Sequence, residues 1–227
     1  MHMSGYKKTI TLPLIVASVV TATSSVYAQE DNLTLEEVIV TAQKREQSLM
    51  EVPVAVSAIS GEQMRDLLGA AENIRALNGR VPSLVVESSN GRQSPRFYIR
   101  GLGNYDFDVN ANQPVSMVYD NIALENSVLK AIPVFDIERI EVLRGPQGTL
   151  FGRNTTAGIV KIDSVKPGQE DDGYAMLSYG THSTTTFEGA FNSALSDTFS
   201  ARLSLKYQTR DNWIDNTVTD KNHDFGE

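Results

Sequence analysis

The residues of this chain best placed to do chemistry are two arginines, each followed by glycine. One ends Phe97-Tyr98-Ile99-Arg100-Gly101. The other lies in Glu141-Val142-Leu143-Arg144-Gly145-Pro146-Gln147-Gly148. Each arginine closes an alternating, strand-like run, and each glycine supplies the turn that follows. A guanidinium at such a place is met by a carboxylate or left in water, because burying it alone is costly. No obvious carboxylate partner lies close by in sequence, so the pair reads as a docking element for something larger. The competing reading is two strand ends in water.

Other chemistries fail on residue types and spacing. His2, His182 and His223 are the only histidines, too few and too scattered for a triad or a zinc site. Cysteine is absent, which removes disulfides, thiolate metal sites and thiol nucleophiles together. Gly101-Leu102-Gly103 follows a strand, but a dinucleotide loop needs its third glycine where Asp106 stands, with a helix after it. Asp106, Asp108, Asn110 and Asn112 start like a calcium loop, yet Ala111 and Met117 occupy the positions that need Gly and Glu. Residues 145–153 lack the Gly-Lys-Ser/Thr of a phosphate loop. The carboxylate pairs Glu36-Glu37 and Asp171-Asp172 sit in polar, solvated stretches. The sequence therefore gives no sign of an enzyme, a cofactor site or a metal site.

The elements that must position the arginines can be read in order. Residues 1–28 have the layout of a secretory signal: Lys7 and Lys8, an apolar run from Ile10 to Val20, and the small-residue site Val26-Tyr27-Ala28. Removing it takes two lysines and no acid, shifting the net charge from -8 to -10. That sign disfavours nucleic-acid binding. Residues 29–48 are polar around one β-branched island, Glu37-Val38-Ile39-Val40-Thr41-Ala42. They read as a mobile tether whose island could add as a strand to a partner's sheet edge. The island would also serve as the first strand of the following domain. Residues 49–167 read as a small α+β module. Strands are predicted at 52–59, 84–87, 96–100, 115–119, 139–143 and 158–163. The Ser60…Gln63 capping box opens a helix to Leu68, and a second short helix spans 73–77. From 168 to 227 the pattern becomes two-faced strands, clearest at 199–208, where Phe199, Ala201, Leu203, Leu205 and Tyr207 alternate with polar residues. Alternation alone does not separate a barrel wall from a soluble sandwich.

The run from Glu141 to Asn154, with Gly158-Ile159-Val160-Lys161-Ile162 after it, resembles the plug domain of TonB-dependent outer-membrane receptors. The resemblance extends over nearly all of the chain after residue 28. It implies an α+β plug domain followed by the first antiparallel strands of a transmembrane β-barrel, incomplete in this chain. Such barrels have roughly 22 strands. It further implies an outer-membrane location and a TonB box at Glu37 to Ala42 that meets a TonB-like periplasmic energy-coupling protein. Arg100 and Arg144 match the plug arginines that pair with wall glutamates as a latch. Tyr105, Asp106, Phe107, Asp108 and Asn110 would sit at the plug apex, as substrate contacts or as a solvated loop. Arg202 and Lys206 would face the lumen, and the turn Ser196-Asp197 the periplasm. The implied activity is energy-coupled uptake of a small-molecule substrate such as a ferric siderophore; cobalamin, haem and oligosaccharides use the same architecture. A chain holding so few wall strands is expected not to transport alone. The alternative is a soluble periplasmic binding or adaptor module with a small C-terminal sheet.

Overall fold

The computed structural model describes residues 38–68, 73–88, 94–106, 108, 110–211 and 225–226. The signal reading at 1–28, Glu37 and Phe107 lie outside these residues. Two bodies of β-structure account for most of the rest.

The first is a five-stranded mixed sheet. In spatial order it contains β3 (Ala55–Ser60), β8 (Ile137–Arg144), β9 (Gly158–Ser164), β6 (Val115–Tyr119) and β7 (Ile122–Leu124). Only β6 and β9 run parallel. A separate antiparallel pair, β4 (Leu84–Glu87) and β5 (Arg96–Ile99), packs beside it. One face of the sheet buries Val115, Met117, Ile140, Val142, Val160 and Ile162 against Met64, Ile74, Leu77, Phe97 and Ile99. Full burial of each such side chain is worth roughly 1.5–3 kcal/mol.

Helix α1 (Gly61–Leu68) begins where the sequence places it. The Gln63 amide donates to Ser60 Oγ at 3.2 Å, and the Ser60 amide donates to Gln63 Oε1 at 3.1 Å. This is the reciprocal cap of the motif. Gly61 is required by contact, because a Cβ there would stand 2.0 Å from the Ile137 carbonyl oxygen. The expected second helix is a 3₁₀ turn, Ile74–Leu77, capped by Asn73. The sequence reading missed β7, which is too short to show a period, and the single turn α2 (Gly148–Phe151).

The predicted mobile tether is corrected over its described part. Residues 38–48 fold back on themselves as β1 (Ile39–Val40) and β2 (Gln47–Ser48), an antiparallel pair. They lie on the other face of the five-stranded sheet, where Val40 and Ala42 are fully buried with Val118, Leu143 and Ile159. The island is too short to form a core of its own, but it completes one offered by the sheet.

The second body is an antiparallel meander of β10 (Asp172–Tyr179), β11 (Thr185–Ser196), β12 (Phe199–Arg210) and β13 (Phe225–Gly226). Its two faces differ sharply. Leu177, Phe187, Phe191, Leu203, Leu205 and Tyr207 are exposed on one side, while Thr186, Glu188, Ala190, Asn192 and Gln208 are buried on the other. The predicted stripe Phe199 to Tyr207 is thus the outer face. An apolar outer face and a polar inner one is the arrangement of a membrane barrel wall and the reverse of a soluble sandwich.

Replacing Gly61 by Ala should force α1 away from β8, at a cost of about 1–3 kcal/mol. Amide hydrogen exchange on the chain in detergent checks it: protection of the β8 amides should fall, while that of the β11 amides should stay.

Candidate functional site

The register of β8 and β9 places Arg139 opposite Asp163 and Glu141 opposite Lys161. Because side chains alternate along a strand, all four lie on one face. They are buried or nearly so; the Glu141 side chain is 0% exposed. Two positive and two negative charges meet there without excess. Lys161 bonds Asp163 directly, and Arg139 Nε lies 3.7 Å from the same carboxylate. Charges this deep are tolerated only when paired and hydrogen-bonded.

The folded-back segment supplies further bonds, while Glu141 Oε2 and Arg139 Nε stay buried without a hydrogen-bond partner. The Thr41 amide donates to Glu141 Oε1 at 2.6 Å. Its hydroxyl lies 3.1 Å from Glu141 Oε1, 3.1 Å from Asp163 Oδ2 and 2.7 Å from Lys161 Nζ. Arg139 donates to the Ile39 carbonyl at 2.9 Å. Val40 and Ala42 fill the apolar half of the same face, and Thr41 sits over the charged half. The described part of the island is therefore seated on the sheet through both its apolar and its polar groups. Sequence reading missed the seat. A signal was available: Arg139, Glu141, Lys161 and Asp163 alternate with Ile140, Val142, Val160 and Ile162 along two strands and sum to zero charge.

The two leading arginines have different surroundings. Arg100 is exposed, at φ 53°, on the turn after β5. Arg144 is half-buried; one of its amino groups donates to the Pro82 carbonyl at 3.1 Å, and its Nε is buried without a partner. Among the described residues neither meets a carboxylate. The plug-to-wall carboxylate contact seen here runs the other way. Arg202, on the inner face of β12, grips Asp136 through Nε at 2.8 Å and a terminal nitrogen at 2.6 Å. Sixty-six residues separate the two, so no local pattern could announce the pair. Lys206 also faces inward, 3.7 Å from Glu188.

Asn104, Asp106 and Asp108, in the loop after β5, support their own backbone. Asn104 accepts from the Asp106 amide, Asp106 from the Asp108 amide and Asp108 from the Asn110 amide, at 2.8–3.0 Å. These repeated side-chain-to-backbone turns explain the calcium-like spacing without a cation. Tyr105 remains 72% exposed, with its ring 5.2 Å from that of Tyr98. Burial, reinforced by a hydrogen bond to Glu87, pushes the Tyr98 hydroxyl up to about 12. Gly103 passes so close beneath Tyr98 that a Cβ would overlap its ring at 1.9 Å. Below the loop lies Lys130, almost fully buried, with Nζ 3.2 Å from Gln113 Oε1 and 3.3 Å from the Val115 carbonyl. Burial lowers its pKa to about 8, against the opposing pull of Glu125.

Comparison with known proteins bears on this arrangement. Residues 48–159 match the family model of the TonB-dependent Receptor Plug Domain. The chain is similar to the Vitamin B12 transporter BtuB of Vibrio vulnificus, 31% identical over 186 residues, covering 80% of this chain and 28% of the relative. It is also similar to the Iron-regulated outer membrane virulence protein of Vibrio cholerae, 31% identical over 166 residues, covering 68% of this chain and 24% of that one. Among solved structures, the ferric yersiniabactin uptake receptor FyuA from Yersinia pestis superposes with a TM-score of 0.67 at 22% identity, covering 76% of this chain and 27% of that receptor. The chain thus spans about a quarter of the length of these relatives.

Thr41→Val removes the hydroxyl shared by three charged groups and leaves Val40 and Ala42 in place. Docking of residues 38–44 should weaken by about 1–3 kcal/mol. The chain has no cysteine, so a spin label at Val38→Cys reports this cleanly; its mobile fraction should rise. Lys130 generates a pH dependence. Below about pH 8 it is charged in both states, and the fold bears the cost of the buried ammonium. Between about 8 and 10.5 the unfolded chain holds a proton that the folded one has lost, so stability rises with pH. Lys130→Met should remove that rise and stabilise the fold at pH 7 by up to about 3 kcal/mol, as read by denaturant titration across this range.

Proposed function

Because the chain belongs to the TonB-dependent receptors of the outer membrane through its plug domain, we propose that it is the N-terminal plug portion of a receptor for energy-coupled nutrient uptake. Substrate binding and transport belong to the whole receptor, in which the plug closes the barrel. The observation that carries the reading is the pairing of two bodies in one chain: a plug sheet with a seated N-terminal strand, and a wall sheet whose polar face meets the plug.

In this reading Glu37 to Ala42 are the TonB box. When the segment leaves its seat, Ile39 and Val40 become free to add to the edge of a TonB-like periplasmic protein. The seat suits release. Once uncovered, Glu141, Lys161, Asp163 and Arg139 are charges that water hydrates well, so undocking exposes less apolar surface than a wholly aliphatic seam would.

Arg100 and Arg144 are proposed to latch the plug to wall glutamates outside this chain. The buried, unpartnered Nε of Arg144 supports that role. Tyr105, Asp106, Phe107, Asp108 and Asn110 are proposed to face the substrate; the exposure of Tyr105 supports this.

A ferric siderophore is the proposed substrate class, supported by the iron-regulated relative. The similarity to a vitamin B12 transporter favours cobalamin as the second reading.

In the full-length receptor, Ile39→Pro removes an amide and blocks strand addition. Uptake of radiolabelled ferric yersiniabactin or cyanocobalamin, whichever the wild type takes up, should collapse while binding at the cell surface persists. Unchanged uptake would remove the TonB-box assignment. Equal loss of binding and uptake would make the island a structural strand.

A further inference from the structure

Between the plug and the wall lies a cavity of about 370 Å³. Its plug side is Gly61, Met64 and Arg65 of α1 with Val134 to Ile137. Its wall side includes Glu188, Lys206, Gln208 and Arg210. The inner face of β12 reads Arg202, Ser204, Lys206, Gln208, Arg210, and only the last three line the space. On β11, Thr186 and Glu188 line it, while Ala190 and Asn192 do not. The cavity therefore occupies one end of the wall strands, beside the turn at residues 180–184, and stops before the other.

What stops it is a set of polar contacts. Asp136 lines the cavity, and its carboxylate is held from beyond by Arg202. Both side chains are less than a tenth exposed. Asp136 is also in the left-handed region, at φ 49°, and its carbonyl accepts from the Val165 amide at 3.1 Å. One residue thus fixes the start of β8 and the chain leaving β9, and ties both to the wall. Nearby, Asn192 on β11 clamps the connection between the two bodies. It donates to the Gly168 carbonyl at 2.9 Å and accepts from the Gly168 amide at 3.0 Å. On the plug side, Arg65 stacks 5.6 Å from the Tyr174 ring.

Resting on the receptor reading above, in which the turn Ser196-Asp197 is periplasmic, this floor is on the periplasmic side and the cavity on the outer side. We infer that Asp136 and Arg202 form a clasp that closes the gap between plug and wall. When the clasp opens, the cavity, which carries Arg65, Glu188, Lys206 and Arg210 among apolar neighbours such as Met64 and Met176, is continuous with the periplasm. Asp136 acts as a positioning residue. A bidentate, buried ion pair holds firmly while both partners are present; displacing Asp136 leaves Arg202 only the exposed Asp172 carboxylate, 3.8 Å away.

The test uses the full-length receptor, purified and inserted in a planar bilayer, with potassium chloride current as the probe. Asp136→Asn and Asp136→Arg should each give current steps that the wild type lacks. Combining Asp136→Arg with Arg202→Asp should close the pore again, a rescue that a merely structural role would not produce. Asp136→Asn, which keeps the side-chain shape, serves where arginine at 136 blocks assembly. Silence of Asp136→Asn overturns the clasp, and so does equal leakage from the Asp136→Arg single and its double variant. Fractionation keeps the two levels apart. A full-length wild type absent from the outer membrane removes the receptor reading itself. A wild type that is present and closed, with clasp variants that are closed too, removes only the clasp.

Discussion

The register between β8 and β9 is the constraint on which the rest of the plug depends. It aligns Arg139, Glu141, Lys161 and Asp163 on one face, in the middle strands of a five-stranded sheet. Shifting either strand by one residue would turn these charges into the aliphatic core and bring Ile140, Val142, Val160 and Ile162 to the other face. The charges fix the register, and the register then demands a cover. Thr41 and the Ile39 carbonyl provide it, with Val40 and Ala42 sealing the adjoining apolar patch. A segment that would be disordered alone is ordered because it satisfies groups that other elements have already buried.

The same chemistry recurs where the plug meets the wall. Arg202 with Asp136, Asn192 with Gly168, and Arg65 over Tyr174 are all polar or charged contacts. An interface made from aliphatic side chains would cost roughly 25 cal/mol for each Å² exposed on separation. Polar contacts exchange protein partners for water and have a smaller net cost. The seat of residues 38–44 combines such contacts with an aliphatic patch, while the core between α1 and the sheet is apolar. The wall's outer face follows the opposite rule: its phenylalanines and leucines stand exposed, suited to lipid.

Much of this was legible in the sequence, for local reasons. The Ser60…Gln63 box marks the first residue of α1 because capping is decided within four residues. The limits of β4 and β6 follow from apolar alternation between turn residues, and the outward stripe of β12 follows from a period of two. The family could be read from Glu141 to Asn154 by resemblance, although the helical turn within that run was missed. The partners of the charges were not legible. Thr41 meets Glu141 across 100 residues, and Asp136 meets Arg202 across 66. No periodicity extends over such distances. Nor did the spacing of Asn104, Asp106 and Asp108 announce that these side chains cap their own backbone.

The sequence by itself determined most of the elements and their faces, since these depend on neighbours within a few residues and on burial patterns with short periods, and the kind of protein came through the resemblance of residues 141–162. Only the tertiary structure decided that the β-branched island lies seated on the plug, and that the wall grips the plug through Arg202 rather than, within the described residues, through Arg100 or Arg144. The physical reason is one of pairing. A strand's own sequence states which side chains it will bury, but a buried charge takes its partner from whatever element the fold brings opposite.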